Sequence, residues 1–245
     1  MNDVTQIWSY LAQDPLFWLT LTLVSYGIGD AAFRASGRRP MVNPVLIAVA
    51  LLAIMLRVTE TEYATYFEGA QFIHFILGPA TVALAVPLYA NLGRIRATAV
   101  PMLAALVAGS VTAIASSVLI AGWMGVDRAM LLSIAPKSAT APVALGVSEA
   151  MGGAPTLTAV MVILTGITGA IVATPLLNLL RIRDYRARGF ALGVASHGIG
   201  TARAFQVNET AGAFAGVGMG LNAVLTALIA PLLAPWLIGL VSGLN

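Results

Sequence analysis

The chain has 245 residues, of which 59% are hydrophobic and 9% are charged, whereas roughly 25% are charged in an average soluble domain. Cysteine is absent, which excludes disulfides and cysteine-ligated metal sites. The net charge of +3 is dispersed over short loops, whereas nucleic-acid binding needs a basic patch. We therefore expect an all-α polytopic membrane protein, a single transmembrane domain over residues 1–245 without a soluble enzymatic domain or a nucleic-acid partner.

Apolar stretches recur along the whole chain, and most are long enough to cross a hydrocarbon core about 30 Å thick. The first residues carry Asp3 and Asp14 but no basic region of a secretory signal, so we expect them to be retained. We predict seven or eight apolar segments, within residues 16–33, 42–56, 70–90, 98–123, 129–150, 154–180, 189–205 and 213–243.

The arginines predict the direction of each segment. Most fall in three short loops, around Arg38, Arg94 and Arg183. The positive-inside rule places these loops in the cytoplasm and the N-terminus outside. The chain is then outside near Asp127 and inside at Arg183, which requires an odd number of crossings. Since two apolar segments lie in between, we predict that 129–150 re-enters the membrane without crossing it.

Residues 135–142 support a re-entrant hairpin, because Pro136 and Pro142 interrupt the helix. Broken backbone at membrane depth is tolerated only where protein or a water-filled cavity surrounds it. Lys137 is the only lysine of the chain and lies within this break. An ionisable residue there is a candidate functional residue.

Lys137 and the start of a half-helix at Pro142 predict a carboxylate or phosphate site. Ser138 and Thr140 would supply hydroxyl donors. The alternative is that Lys137 extends its ammonium group from a short hairpin to the membrane interface.

A second candidate site lies in the segment 189–205, where Gly198 and Gly200 permit a break in the helix. His197 and Arg203 flank this break, and Thr201 follows it. We interpret His197, Gly198, Thr201 and Arg203 as substrate-binding residues. The alternative is that His197 is a hydrogen-bonded packing residue.

The two halves of the chain resemble each other faintly, which predicts pseudo-repeats at about 16–124 and 129–243. Gly78-Pro79-Ala80-Thr81 precedes Gly198-Ile199-Gly200-Thr201 by 120 residues, and Thr81 is therefore a further candidate site residue. A Gly-Pro kink that only serves packing is the alternative. The arginine topology makes 70–90 start outside and 189–205 start inside, and we expect both to cross. Opposed crossings indicate an inverted repeat, which is typical of transporters.

Enzyme signatures are absent from the sequence, which has no Walker loop, no G-x-S-x-G and no H-E-x-x-H pattern. Its two histidines are more than a hundred positions apart, a spacing that argues against a metal site. We expect a protein that is not an enzyme and that uses no metal or cofactor.

Three stretches closely resemble the signature stretches of the LrgB family, also called CidB or YohK. They are Pro136-Lys137-Ser138-Ala139-Thr140-Ala141-Pro142, the stretch from Gly152 to Ala159, and the stretch from His197 to Ala204. Leu77 to Tyr89 matches as well, and the resemblance covers roughly residues 15–235. The sequence departs from the family at Ala141, where a threonine is expected.

The resemblance implies two functions that disagree. The family is named as antiholin-like, modulating murein hydrolase export and cell lysis together with a small membrane partner of the LrgA type. The plastid glycolate/glycerate translocator, however, resembles a fusion of that partner with an LrgB-like half. We expect a bacterial inner-membrane carrier of small 2-hydroxy or 2-oxo carboxylates that works by alternating access, with an LrgA-like subunit or as a homo-oligomer. The antiholin-like role without a small-molecule substrate ranks second.

Overall fold

The structure, a computed structural model, describes residues 14–83 and 85–242. Helices make up its regular structure, and the described residues contain no strand. The all-α prediction is confirmed. The chain forms two compact units, Met1–Ala85 and Val86–Asn245, which are described separately. This boundary lies inside the first predicted pseudo-repeat, and the repeat itself stays a prediction.

Length and apolar composition identify the membrane-crossing helices. Among the described residues, four helices can cross a membrane by these criteria, namely Pro15–Ala35, Ala99–Trp123, Pro155–Leu179 and Glu209–Val241. A multi-pass membrane protein is therefore confirmed.

The first unit contains α1 (Pro15–Ala35), α2 (Pro44–Val58) and α3 (Tyr63–Ala83). Capping side chains set the start of the first two helices. The Asp14 side chain accepts a hydrogen bond from the Leu16 amide, and the Asn43 side chain accepts hydrogen bonds from amides in the first turn of α2. Helix α1 packs closely on α2 at Gly29, where a Cβ atom would lie 2.5 Å from the carbonyl oxygen of Pro44.

The second unit carries the remaining helices. They are α4 (Ala85–Ala90), whose first residue belongs to the first unit, α5 (Leu92–Ala97), α6 (Ala99–Trp123), α7 (Arg128–Ile134), α8 (Ala141–Ala150), α9 (Pro155–Leu179), α10 (Tyr185–Val207) and α11 (Glu209–Ser242). Its arginine face is the side that bears Arg94, Arg183 and Arg186, which line one cleft. Helices α6 and α11 begin at this face, and α9 ends there.

Helices α7 and α8 form the first hairpin, residues 128–150, as the sequence predicts. At 1.5 Å per residue they are about 10 and 15 Å long, too short to cross the membrane. The hydroxyl of Ser133 accepts a hydrogen bond from the amide of Ala154 at 2.7 Å, and the Thr158 hydroxyl donates to the Ser133 carbonyl at 2.9 Å. The start of α9 therefore lies beside α7, so the chain leaves this hairpin on the side where it enters.

Helix α10 forms the second hairpin, residues 185–207, instead of the crossing expected for 189–205. Its backbone is non-helical at Ser196 and His197, with φ of −135° and 42° respectively. Beyond this break the chain turns back, and Ala204 packs in one cluster with Leu192. Val207 and Tyr185, at the two ends, line one small cleft. The prediction of a break was right, but the predicted crossing was wrong because the positive φ of His197 reverses the chain.

Two core clusters separate the faces of the second unit. At the arginine face, Met102 of α6 and Phe214 of α11 pack against Phe190 of the second hairpin. On the opposite side, the last turns of α6 and α11 pack against Leu131 and Leu132 of the first hairpin. The two hairpins therefore enter from opposite sides, and their tips lie between the clusters.

Candidate functional site

A cavity of about 1130 Å³ extends from the arginine face to the hairpin tips. Its mouth is lined by Thr98, Ile182, Asp184 and Arg186, and its inner end by Lys137, Ser138 and Ser196. The walls between them come from α6, α9, the first arm of the second hairpin and Phe214 of α11, and they are largely apolar. The fold thus places a few polar groups at the end of an apolar path, as small-molecule sites commonly do.

Lys137 and Ser138 are positioned by the turn at the tip of the first hairpin. The amide of Lys137 donates to the carbonyl of Ile134 at 3.2 Å, and the amide of Ala139 donates to that of Pro136 at 2.9 Å. Ser138 is 6% exposed, and Lys137 is half-buried. Lys137 forms no ion pair with a carboxylate in the described part of the chain. Its charge is therefore available to an anion in the cavity.

Ser196 and His197 form the tip of the second hairpin, and both are buried. The Nε2 atom of His197 lies 2.9 Å from the carbonyl oxygen of Val162 in α9. A carbonyl can only accept, so Nε2 carries a proton. The Thr201 hydroxyl donates to the His197 carbonyl at 2.8 Å. The His197 ring and the Thr201 hydroxyl thus fix the tip, whereas Ser196 lines the cavity.

Helix α9 connects the two tips. The side chain of Val162 packs on Ala139 and Ala144 of the first hairpin, while its carbonyl binds His197. One and two turns further along α9, Gly166 and Gly169 leave space for the tip of the second hairpin. A Cβ on Gly166 would lie 2.7 Å from His197 Cε1, and a Cβ on Gly169 would overlap the hydroxyl of Ser196. The tip of the second hairpin therefore packs directly on α9 at these two glycines.

Three other predicted site residues of the second unit, Thr140, Gly198 and Arg203, do not line this cavity. Thr140 is the half-buried N-cap residue of α8, and Gly198 is exposed just after the second tip. Arg203 is half-buried, and its Nη1 donates to Gln206 Oε1 at 3.4 Å. Thr81 belongs to α3 of the first unit, and its side chain is outside the part of the structure that is described. The cavity thus brings together Lys137 and Ser138 among the predicted residues.

Two residues of this site escaped the sequence analysis. Ser196 precedes the break directly, and that position was the available signal. Asn222 of α11 is completely buried, and its Nδ2 donates to the carbonyl of Ser138 at 3.0 Å. Nothing in the local pattern of α11 marks Asn222, because its partners lie far away in the sequence.

Positive charge surrounds the mouth of the cavity. The guanidinium of Arg186 donates three hydrogen bonds to the carboxylate of Asp184, at 3.1, 3.0 and 2.6 Å. These hydrogen bonds lower the pKa of Asp184. Asp184 therefore stays ionised and neutralises Arg186. Arg94 and Arg183 line an adjoining cleft of about 460 Å³, and they leave the vestibule net positive. Such a surface concentrates anions at the mouth.

Comparison with known proteins agrees with the resemblance seen in the sequence. The family model described as the LrgB-like family matches residues 22–236. YwbG of Bacillus subtilis is 36% identical over 201 residues, 82% of this chain and 89% of that protein. An antiholin-like protein LrgB of Bacillus cereus is 32% identical over 203 residues, 83% of this chain and 88% of that protein. No solved structure matches. The chain therefore belongs to the LrgB-like family.

Proposed function

We propose that this protein is a transporter of small carboxylates, such as glycolate, glycerate, lactate or pyruvate, that works by alternating access in the bacterial inner membrane. The observation that carries the proposal is the cavity from the arginine face to Lys137, whose inner end lies at the tips of two oppositely directed hairpins. A bound carboxylate would meet the Lys137 ammonium there.

The composition of the cavity favours a short polar acid. Lys137 supplies the single charge of its inner end, and the hydroxyls of Ser138 and Ser196 supply hydrogen bonds to a neighbouring hydroxyl or keto oxygen. The apolar walls offer few partners to a second carboxylate. A monocarboxylic 2-hydroxy or 2-oxo acid matches this set of groups.

Alternating access is supported by a difference between the two sides of the site, one of which is open through the cavity while the other is closed by packed helices. The arginine face is connected to Lys137 through the cavity. On the opposite side, α6, α11 and the first hairpin form a packed core cluster. An outward-open state requires these contacts to loosen while the mouth of the cavity closes at the arginine face. Carriers built from inverted repeats move in this way.

The second candidate function is antiholin-like control of cell lysis without a small-molecule substrate. Relatives that are 32% identical over most of the chain are named as antiholin-like proteins, and this name favours the alternative. An antiholin-like function, however, does not require a cation at the end of a cavity.

Uptake into proteoliposomes tests the proposal. Wild-type protein is reconstituted, and labelled glycolate, lactate and pyruvate are added with and without an excess of unlabelled acid. The proposal predicts saturable uptake that the unlabelled acid inhibits. Release of large entrapped solutes without saturation, and without carboxylate uptake, would favour the antiholin-like function.

We further propose that the chain functions with an LrgA-like small membrane protein or as a homo-oligomer. The translocator that it resembles carries both parts in one polypeptide, which supports a need for such a partner. Affinity purification from native membranes, followed by mass determination of the intact complex, should recover a second subunit or several copies of this chain. Saturable transport by an isolated monomer would contradict this proposal.

A further inference from the structure

Asn222 joins the tip of the first hairpin to α6 through hydrogen bonds on both sides of its amide. Its Nδ2 donates to the carbonyl of Ser138 at 3.0 Å, and its Oδ1 accepts from the hydroxyl of Ser110 at 2.6 Å. The Thr226 hydroxyl approaches the same Oδ1 at 3.4 Å. Asn222 and Ser110 are 0% and 1% exposed, so water does not compete for these bonds.

We infer that Asn222 is a positioning residue for the carboxylate site, which it serves by fixing the Ser138 peptide and thereby the direction of Lys137 and Ser138. This inference rests on the proposed function, because it assigns a role within that site. Asn222 does not line the cavity. It acts on the ligand only through the hairpin tip.

The geometry explains why a polar residue is retained at this depth of α11. A turn between two short helices has few backbone hydrogen bonds of its own, and here the Ser138 carbonyl points away from the turn towards another helix. Without the Asn222 amide this buried carbonyl would be unpaired, and the tip would rotate to satisfy it. Rotation moves the Ser138 hydroxyl and the Lys137 side chain together.

The test compares Asn222→Leu, which keeps the side-chain size but has no donor, with Thr226→Val, which removes a buried hydroxyl one turn away on the same helix. Both variants are reconstituted at equal amounts of folded protein, and uptake of labelled glycolate and pyruvate is measured over a range of concentrations. We expect KM to rise about tenfold in Asn222→Leu with a smaller change in maximal rate, since one hydrogen bond is worth about this factor. Thr226→Val should keep the wild-type KM, because it removes only the long 3.4 Å contact. Asn222 keeps the 2.6 Å hydrogen bond from Ser110 and its own hydrogen bond to the Ser138 carbonyl.

A second readout reports the tip directly and does not need transport. Ser138→Cys introduces the only thiol of the chain, and its modification by a small water-soluble thiol reagent is followed in membranes. Adding Asn222→Leu should change the modification rate several-fold, whereas adding Thr226→Val should not. If Asn222→Leu does not fold, Asn222→Asp replaces it, because it keeps the shape and puts an oxygen where Nδ2 is.

The outcomes separate this inference from the proposed function. If wild-type protein transports carboxylates while the Asn222 variant keeps both KM and the thiol reactivity of position 138, the positioning role is wrong. If wild-type protein takes up no carboxylate, the proposed function fails, whatever the thiol reactivity shows. Equal losses in the Asn222 and Thr226 variants would reduce Asn222 to a packing residue and overturn the inference.

Discussion

Replacing Gly169 with alanine tests whether the second hairpin is seated on α9. The added Cβ would overlap the Ser196 hydroxyl and lie 2.6 Å from the Ser196 Cβ, whereas carbon atoms prefer about 3.5–4.0 Å. The tip must therefore shift by about 1 Å, and overpacking of this kind costs about 1–3 kcal/mol. Gly220→Ala is the matched control, because Gly220 is also helical and its Cβ would meet nothing within 4 Å.

Both alanine variants gain about 1 kcal/mol of helix propensity, so the difference between them isolates the clash. We expect Gly169→Ala to melt at a lower temperature than Gly220→Ala, by about 2–4 °C for each kcal/mol. Ser196→Gly removes the overlapping atoms and should restore part of the loss in the double variant, with a coupling of about 0.5–3 kcal/mol. Equal melting of the two alanine variants, or no coupling between Gly169 and Ser196, would refute the seating of the tip.

Two further predictions concern the hairpins. Thr158→Val should lower the free energy of unfolding by about 1–3 kcal/mol, because it leaves the Ser133 carbonyl and the Ser148 hydroxyl without this partner. Thr168→Val is the control, since Thr168 is exposed on the same helix. An equal effect of the two substitutions would contradict the role of Thr158. In the cysteine-free chain, single cysteines at Arg183 and Gln206 should react with an impermeant maleimide from one side of the membrane, and those at Arg128 and Ala150 from the other. Labelling of positions 183 and 206 from opposite sides would show that the second hairpin crosses.

Local chemistry explains how much of the fold could be predicted from the sequence. Long apolar runs predicted α6, α9 and α11, because a membrane-crossing helix satisfies its own backbone. The first hairpin was predicted from two kinds of signal, the prolines at 136 and 142 and the arginine topology. The prolines lie at the break itself, and the arginine topology follows from the composition of the loops, so no distant contact had to be known.

The second hairpin could be predicted only in part. Gly198 and Gly200 indicated a break, but its angle depends on contacts with α9 and α11 that are distant in the sequence. Gly166 accommodates the His197 ring, and Val162 binds its Nε2 atom. Since each of these contacts requires the assembled bundle, the pattern of 189–205 alone was equally compatible with a kinked crossing helix.

The candidate site, like the fold, could be predicted only in part from the sequence. Lys137 could be selected because a single lysine inside an apolar segment is costly unless it has a function. Arg203 met a similar criterion, yet its guanidinium contacts Gln206 and does not line the cavity. Ser196 and Asn222 are ordinary polar residues by sequence. Their relevance comes from where the hairpin tips are brought together.

Carboxylate binding with and without Lys137 tests the central claim most directly. The affinity of purified protein for glycolate and pyruvate is measured by calorimetry for wild type, for Lys137→Met and for Arg96→Met. Arg96 is exposed in the last turn of α5 and does not line the cavity. Loss of a charged contact of this kind costs about 2–5 kcal/mol, enough to abolish binding at millimolar concentrations. The account predicts no binding by Lys137→Met and wild-type affinity for Arg96→Met; unchanged affinity in Lys137→Met would contradict it.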